Sequence, residues 1–137
     1  MEIKDVITIS IATIGLILSL INFYSNKFNI KNEFFKTAIS QEMIQARHYV
    51  RTTDELSMDN KYVVELLNFY NYWGTMVKQK HLPLSTFYSA SGFNVIELFE
   101  KLKPLIDKER DQRNNIFYAR DFEKLYDILK KKYDFKH

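Results

Sequence analysis

The stretch VITISIATIGLILSLINFYSN, residues 6–26, carries no charge and governs how the rest of the chain is read. At ~1.5 Å per residue, a helix of these 21 residues is long enough to cross the ~30 Å hydrocarbon core of a bilayer. A soluble fold would have to bury that whole apolar cylinder, and a chain of 137 residues has little material to do so. The sequence therefore predicts an all-α protein: one N-terminal transmembrane helix continuing into a small cytoplasmic helical bundle. Its parts are a short external tail at 1–5, the transmembrane helix at 6–26 and an all-helical domain over 27–137.

A secretory signal begins with net positive charge, has a shorter apolar core and ends in a small-residue cleavage site. This chain begins MEIKD, with Glu2 and Asp5 against Lys4, and its apolar run leads into Asn22-Phe23-Tyr24 without an A-x-A pattern. An uncleaved anchor is the expectation, ahead of a buried soluble helix or a cleaved signal. Lys27, Lys31 and Lys36 follow the span and only Lys4 precedes it, which places the C-terminal part in the cytoplasm. Phe23, Tyr24 and Phe28 fall where aromatic rings settle among headgroups.

The span is also patterned. Thr8, Ala12, Gly15, Ser19, Asn22 and Asn26 recur alternately at four and three residues, beside a second stripe of Ile7, Ile11, Ile14, Leu18 and Ile21. Small residues let two backbones approach, and Ser, Thr and Asn can bond across such a contact in lipid. The stripe reads either as the seam of a homo-oligomer, left-handed because its period is 3.5, or as hydroxyls bonded to their own helix with no seam at all.

The remaining residues suit one small domain. With three Gly and two Pro in the whole chain, material for hairpins is scarce, and helices should dominate. No cysteine is present, so neither disulfides nor thiolate chemistry arise. The net charge of +3 is no nucleic-acid signature: after Ser91, eleven basic and nine acidic residues are well mixed, a solvated surface without a basic stripe. Lys130-Lys131-Lys132 suits a helix C-terminus, with anionic headgroups a secondary reading.

No Pro or Gly interrupts residues 26–50, so the span is expected to run on as one helix burying Phe35, Ile39, Met43, Ala46 and Val50. Thr52 and Glu55 have capping-box spacing, where the chain should break and restart. Asp59 or Asn60 opens a helix to about Lys80, with a broad apolar face of Val63, Leu66, Leu67, Tyr70, Trp73, Met76 and Val77. A connector around Pro83 follows. Ser85 can cap a short helix closed by Gly92 in the left-handed conformation. Asn94 should begin the next helix, facing inward with Val95, Leu98, Phe99, Leu102, Leu105 and Ile106, and Pro104 should kink or split it. A last helix presents Phe122, Leu125, Tyr126 and Leu129.

Catalytic chemistry finds little footing. His48, His81 and His137 form no ligand pair of metal-binding spacing. His48 reads as a surface or packing residue, His81 as a helix C-terminal cation. There is no G-x-S-x-G and no Gly-rich phosphate loop. Arg110, Arg113 and Arg120 lack the downstream histidine of helical ribonucleases. Pairs such as Glu97/Glu100 and Asp107/Asp111 are spaced like solvated helix faces. No catalytic, cofactor or metal site is expected. The run Phe69-Tyr70-Asn71-Tyr72-Trp73 wraps all round its helix: either neighbours enclose it with Asn68 and Asn71 bonded inside, or Asn68 and Tyr72 offer a surface to another protein. Arg110 is a candidate for the same surface or for a buried ion pair.

Several segments together resemble a bacterial and phage family known as domain of unknown function 4760. They are the N-terminal span, Met43 to Arg47, Val64 to Tyr70, the connector Leu84 to Gly92, Leu102 to Ile106, Arg110, and Tyr118 to Leu125. The resemblance covers nearly all of the soluble part, though each motif is loose. It implies a small helical module of the bacterial inner membrane, sometimes in prophage-like surroundings, and carries no catalytic residues over. The expectation is a non-enzymatic interaction module whose partners are the lipid bilayer, further copies of itself through the anchor, and an unidentified protein, with no nucleic acid. The alternative is a superinfection-exclusion or abortive-infection component.

Overall fold

The computed structural model describes residues 1–134 and consists of helices, with no strand among them. His137 lies outside the described residues. Five α-helices follow in order: α1 (Ile3–Ala38), α2 (Gln41–Thr52), α3 (Lys61–Lys78), α4 (Ala90–Arg113) and α5 (Arg120–Asp134), with a short 3-10 turn, Leu84–Phe87, before α4.

Helix α1 opens with Glu2, whose backbone N–H donates to Asp5 Oδ2 at 3.1 Å. Over its 36 residues it extends ~54 Å. It is long and apolar enough to cross a membrane, and none of its most apolar window is buried within the chain. Only its last turns join the bundle. Phe34 is buried, its ring 5.2 Å from Trp73, 5.9 Å from Phe69 and 5.0 Å from Phe87, with Ile30 and Ala38 packed at the margin.

The expected single helix through Val50 is broken here. Ser40 divides it: its hydroxyl donates to the Thr37 carbonyl at 2.7 Å and accepts the Met43 N–H at 3.3 Å, serving a C-terminus and an N-cap at once. Arg47 Nη2 donates to the Ala38 carbonyl, also freed by the break, at 2.5 Å. The predicted buried face is accordingly half right. Met43, Ala46 and Val50 are buried on α2, but Phe35 is 38% and Ile39 70% exposed, while Phe34 at 1% holds the place assigned to Phe35.

Nor does a helix restart at Thr52, which is the last residue of α2 and donates its hydroxyl to the His48 carbonyl at 2.8 Å. Residues 53–60 are irregular, and Asn60 is the effective cap, accepting the Tyr62 N–H at 2.9 Å. From there α3 buries Val63, Leu66, Leu67, Tyr70 and Trp73 as expected, and Phe69 too. Gly74 lies where α3 meets the start of α5: a β-carbon there would stand 2.8 Å from the Asp121 carbonyl carbon. That is closer than side chains pack, so only glycine fits unaltered.

Gly92 closes no helix. It lies in the first turn of α4 without positive φ, and a β-carbon there would run into the Phe87 backbone carbonyl, with the Tyr133 hydroxyl oxygen 2.8 Å away. Helix α4 thus begins before Asn94, and it continues through Pro104 as one helix to Arg113. Pro104 is exposed, so the backbone carbonyl it leaves unpaired one turn back can reach water. Asn114 ends the helix in the left-handed conformation at φ 48. Helices α4 and α5 run antiparallel, as the pairs Arg110–Glu123, Glu100–Lys130 and Phe93–Tyr133 record in order, with Phe99 stacked on Tyr126 between them. Phe122 joins three helices by stacking on Tyr70 at 5.1 Å and meeting Phe99 edge-on at 5.1 Å.

Candidate interaction site

Where α1 enters the bundle, an open groove of about 380 Å³ lies between its last turns, the first turn of α2 and the middle of α3. The break at Ser40 creates it, because a continuous helix would carry α2 away from α3. Its floor is apolar: Met43, Phe69 and the 3%-exposed Trp73. Tyr72 stands at its edge, half exposed, with its ring 5.0 Å from Trp73, and Asn68 is exposed beside it. Two of the three residues proposed as a partner surface, Asn68 and Tyr72, thus line one site. Asn71, the other amide of that run, turns inward and accepts the Phe122 N–H at 3.2 Å.

The rim is acidic. Glu33 comes from α1, Glu42 from α2 and Glu65 from α3. Glu65 Oε2 is buried and has no hydrogen-bond partner among the described residues. Burial pushes its carboxyl above the ordinary value, and the Glu42 carboxyl beside it adds to the effect, while Lys61 opposes. None of the three carboxylates forms an ion pair among the described residues. Sequence reading did not single them out. Each sits on an amphipathic helix as an ordinary charged residue, and only the packing of three helices brings them together.

Arg110 is no part of this groove. Its Nε donates to the Tyr118 carbonyl at 2.9 Å and Nη1 pairs with Glu123 at 3.2 Å, while Nη2 is buried without a partner among the described residues. It braces the turn between α4 and α5. His48 and His81 are exposed, and no group of three metal-ligating side chains occurs among the described residues.

The residues of the stripe, Thr8, Ala12, Gly15, Ser19 and Asn22, are all exposed. The Thr8 hydroxyl donates to the Lys4 carbonyl and that of Ser19 to the Gly15 carbonyl, each at 2.9 Å, so these donors are occupied within the helix. Space around Gly15 is open, with nothing within 4 Å of an added β-carbon. A seam here would rest on close backbone packing at Gly15 more than on hydroxyl bonds. Gly15→Ile is then expected to abolish association of the segment Met1 to Lys31 in a membrane two-hybrid assay, whereas Leu18→Ile leaves it intact. Equal signals from parent and Gly15→Ile would remove the seam.

An all-helical bundle fed by one unburied apolar helix, with a groove at their junction, defines the class of protein. The chain belongs to the family described as Domain of unknown function (DUF4760), whose profile matches residues 9–129. Comparison with curated proteins and with solved structures finds no match in either.

Proposed function

We propose that this protein is a membrane-tethered helical interaction module without catalysis of its own. In this reading α1 crosses the bacterial inner membrane, residues 1–5 lie outside and residues 27–137 face the cytoplasm. Copies pair through α1, and the bundle engages a protein partner near the membrane surface.

The observation that supports it best is the division of α1. Its apolar window buries nothing within the chain, whereas Phe34, near its C-terminal end, is locked among three aromatic rings of the bundle. Burying a large aliphatic side chain is worth ~1.5–3 kcal/mol, so a row of Ile and Leu left in water would be a heavy penalty, and lipid relieves it. The continuous helix then passes any displacement of the anchor to the groove at its foot.

Fusions at the C-terminus test the orientation. A fluorescent-protein fusion is expected to glow and an alkaline phosphatase fusion to stay inactive. An active phosphatase would reverse the topology and place the bundle outside the cytoplasm.

A further inference from the structure

We propose that the groove between α1, α2 and α3 receives Lys or Arg side chains from the cytoplasmic juxtamembrane segment of another membrane protein. This rests on the reading of α1 as a membrane anchor for its choice of partner, though not for its choice of charge.

Three features of the groove favour that occupant. Its apolar floor of Phe69, Trp73 and Met43 matches the aliphatic stem of a long cationic side chain, which packs along apolar surface while its head stays polar. The face of an exposed aromatic such as Tyr72 attracts the same head. Around that floor Glu33, Glu42 and Glu65 converge with no ion pair among the described residues. Burial first, and the neighbouring Glu42 after it, raise the Glu65 carboxyl above its ordinary value. A guanidinium or ammonium complements this acidic rim, and anionic headgroups are repelled. A volume of about 380 Å³ is at the small end of ligand sites, fitting a few side chains of a docked segment but not a whole helix.

Position selects the source of the cations. Glu33 and Thr37 lie roughly 10 to 16 Å along α1 beyond Asn26, where the span ends. The interfacial layer on one side of a bilayer is ~5–7 Å thick, so the groove opens just beneath the headgroups. Cytoplasmic flanks of membrane-spanning segments carry an excess of Lys and Arg in that zone.

Trp73, the sole tryptophan, lines the groove and reports occupancy. The full chain in phosphatidylcholine nanodiscs would be titrated with a short Arg/Leu peptide and with its Glu/Leu counterpart, following Trp73 emission against empty discs. A saturable change with the Arg peptide alone is expected, weakened about tenfold by combining Glu42→Gln with Glu65→Gln and weakened again by Tyr72→Ala. Both carboxylate changes relieve repulsion, so folding is preserved, and circular dichroism confirms it. Equal response to the two peptides, or undiminished affinity in the Gln pair, would overturn the proposal while leaving the anchor standing. A chain that binds the Arg peptide yet never partitions into membranes would instead refute the juxtamembrane source and the anchor together.

Discussion

Trp73→Ala is expected to cost the bundle ~3–5 kcal/mol, the usual loss when a buried large aromatic is removed from a packed core. The ring is 3% exposed and contacts Phe34 on α1, with Phe69 and Tyr72 on its own helix. Neighbours fixed on two separate helices cannot collapse together into the space left behind. Domains of this size are stable by only ~5–15 kcal/mol, so the variant should populate unfolded bundle at ambient temperature. Urea unfolding of the full chain in detergent, followed by far-ultraviolet circular dichroism, reads this as a lower midpoint at unchanged slope. An unshifted midpoint would mean that the ring is not in the core.

A second substitution acts on the junction itself. Phe34→Ala should cost a similar ~3–5 kcal/mol, because Phe34 is the one residue of α1 that is fully buried. It should also release the foot of α1: trypsin is expected to cut at the exposed Lys36 far faster than in the parent. Phe35→Ala is the control. With Phe35 38% exposed, it should change the midpoint little. If the two substitutions had interchanged effects, α1 would be rotated about its axis relative to the bundle described here, and the groove would lose Glu33.

That pair of neighbours also marks where sequence reading fell short. The faces of α3, α4 and α5 were legible because each follows the 3.6-residue period over several turns: most of the residues assigned to them lie buried, with Met76, Val77, Leu105 and Tyr126 partly buried at the margin. The start of α3 was legible to within one residue, Asp59 or Asn60, because an acid or amide before an apolar-periodic run is a start signal, and Asn60 is the cap. Between residues 26 and 50 the period misled, since Phe35, Ile39, Met43, Ala46 and Val50 keep one phase across a break. Ser40 with Glu42 in the following turn was the available signal, a hydroxyl cap and an acid near a helix N-terminus. It is weak beside the absence of Pro and Gly. Gly92 illustrates a different limit: a glycine demanded by positive φ and one demanded by a close neighbour look alike in sequence, and here the neighbour is the backbone carbonyl of Phe87, brought close by the turn into α4, with the Tyr133 side chain beside it.

The candidate site was legible in part. Tyr72 stood out because five bulky or amide side chains in succession, Phe69 to Trp73, cannot all face one core, and Asn68 was weighed beside it; both line the groove. Arg110 stood out by charge, yet its geometry serves the α4–α5 turn. The acidic rim stayed hidden because Glu33, Glu42 and Glu65 each look solvated on their own helices. Tertiary packing alone gathers them, and packing between elements carries no local sequence signal.

The most direct test of the central claim, that α1 holds this bundle to a membrane, is alkaline carbonate extraction of cells expressing the full chain with a C-terminal tag. The tagged chain is expected wholly in the membrane pellet and at its full length of 137 residues plus the tag. Recovery in the soluble fraction, or as a product shortened by its first helix, would contradict the account.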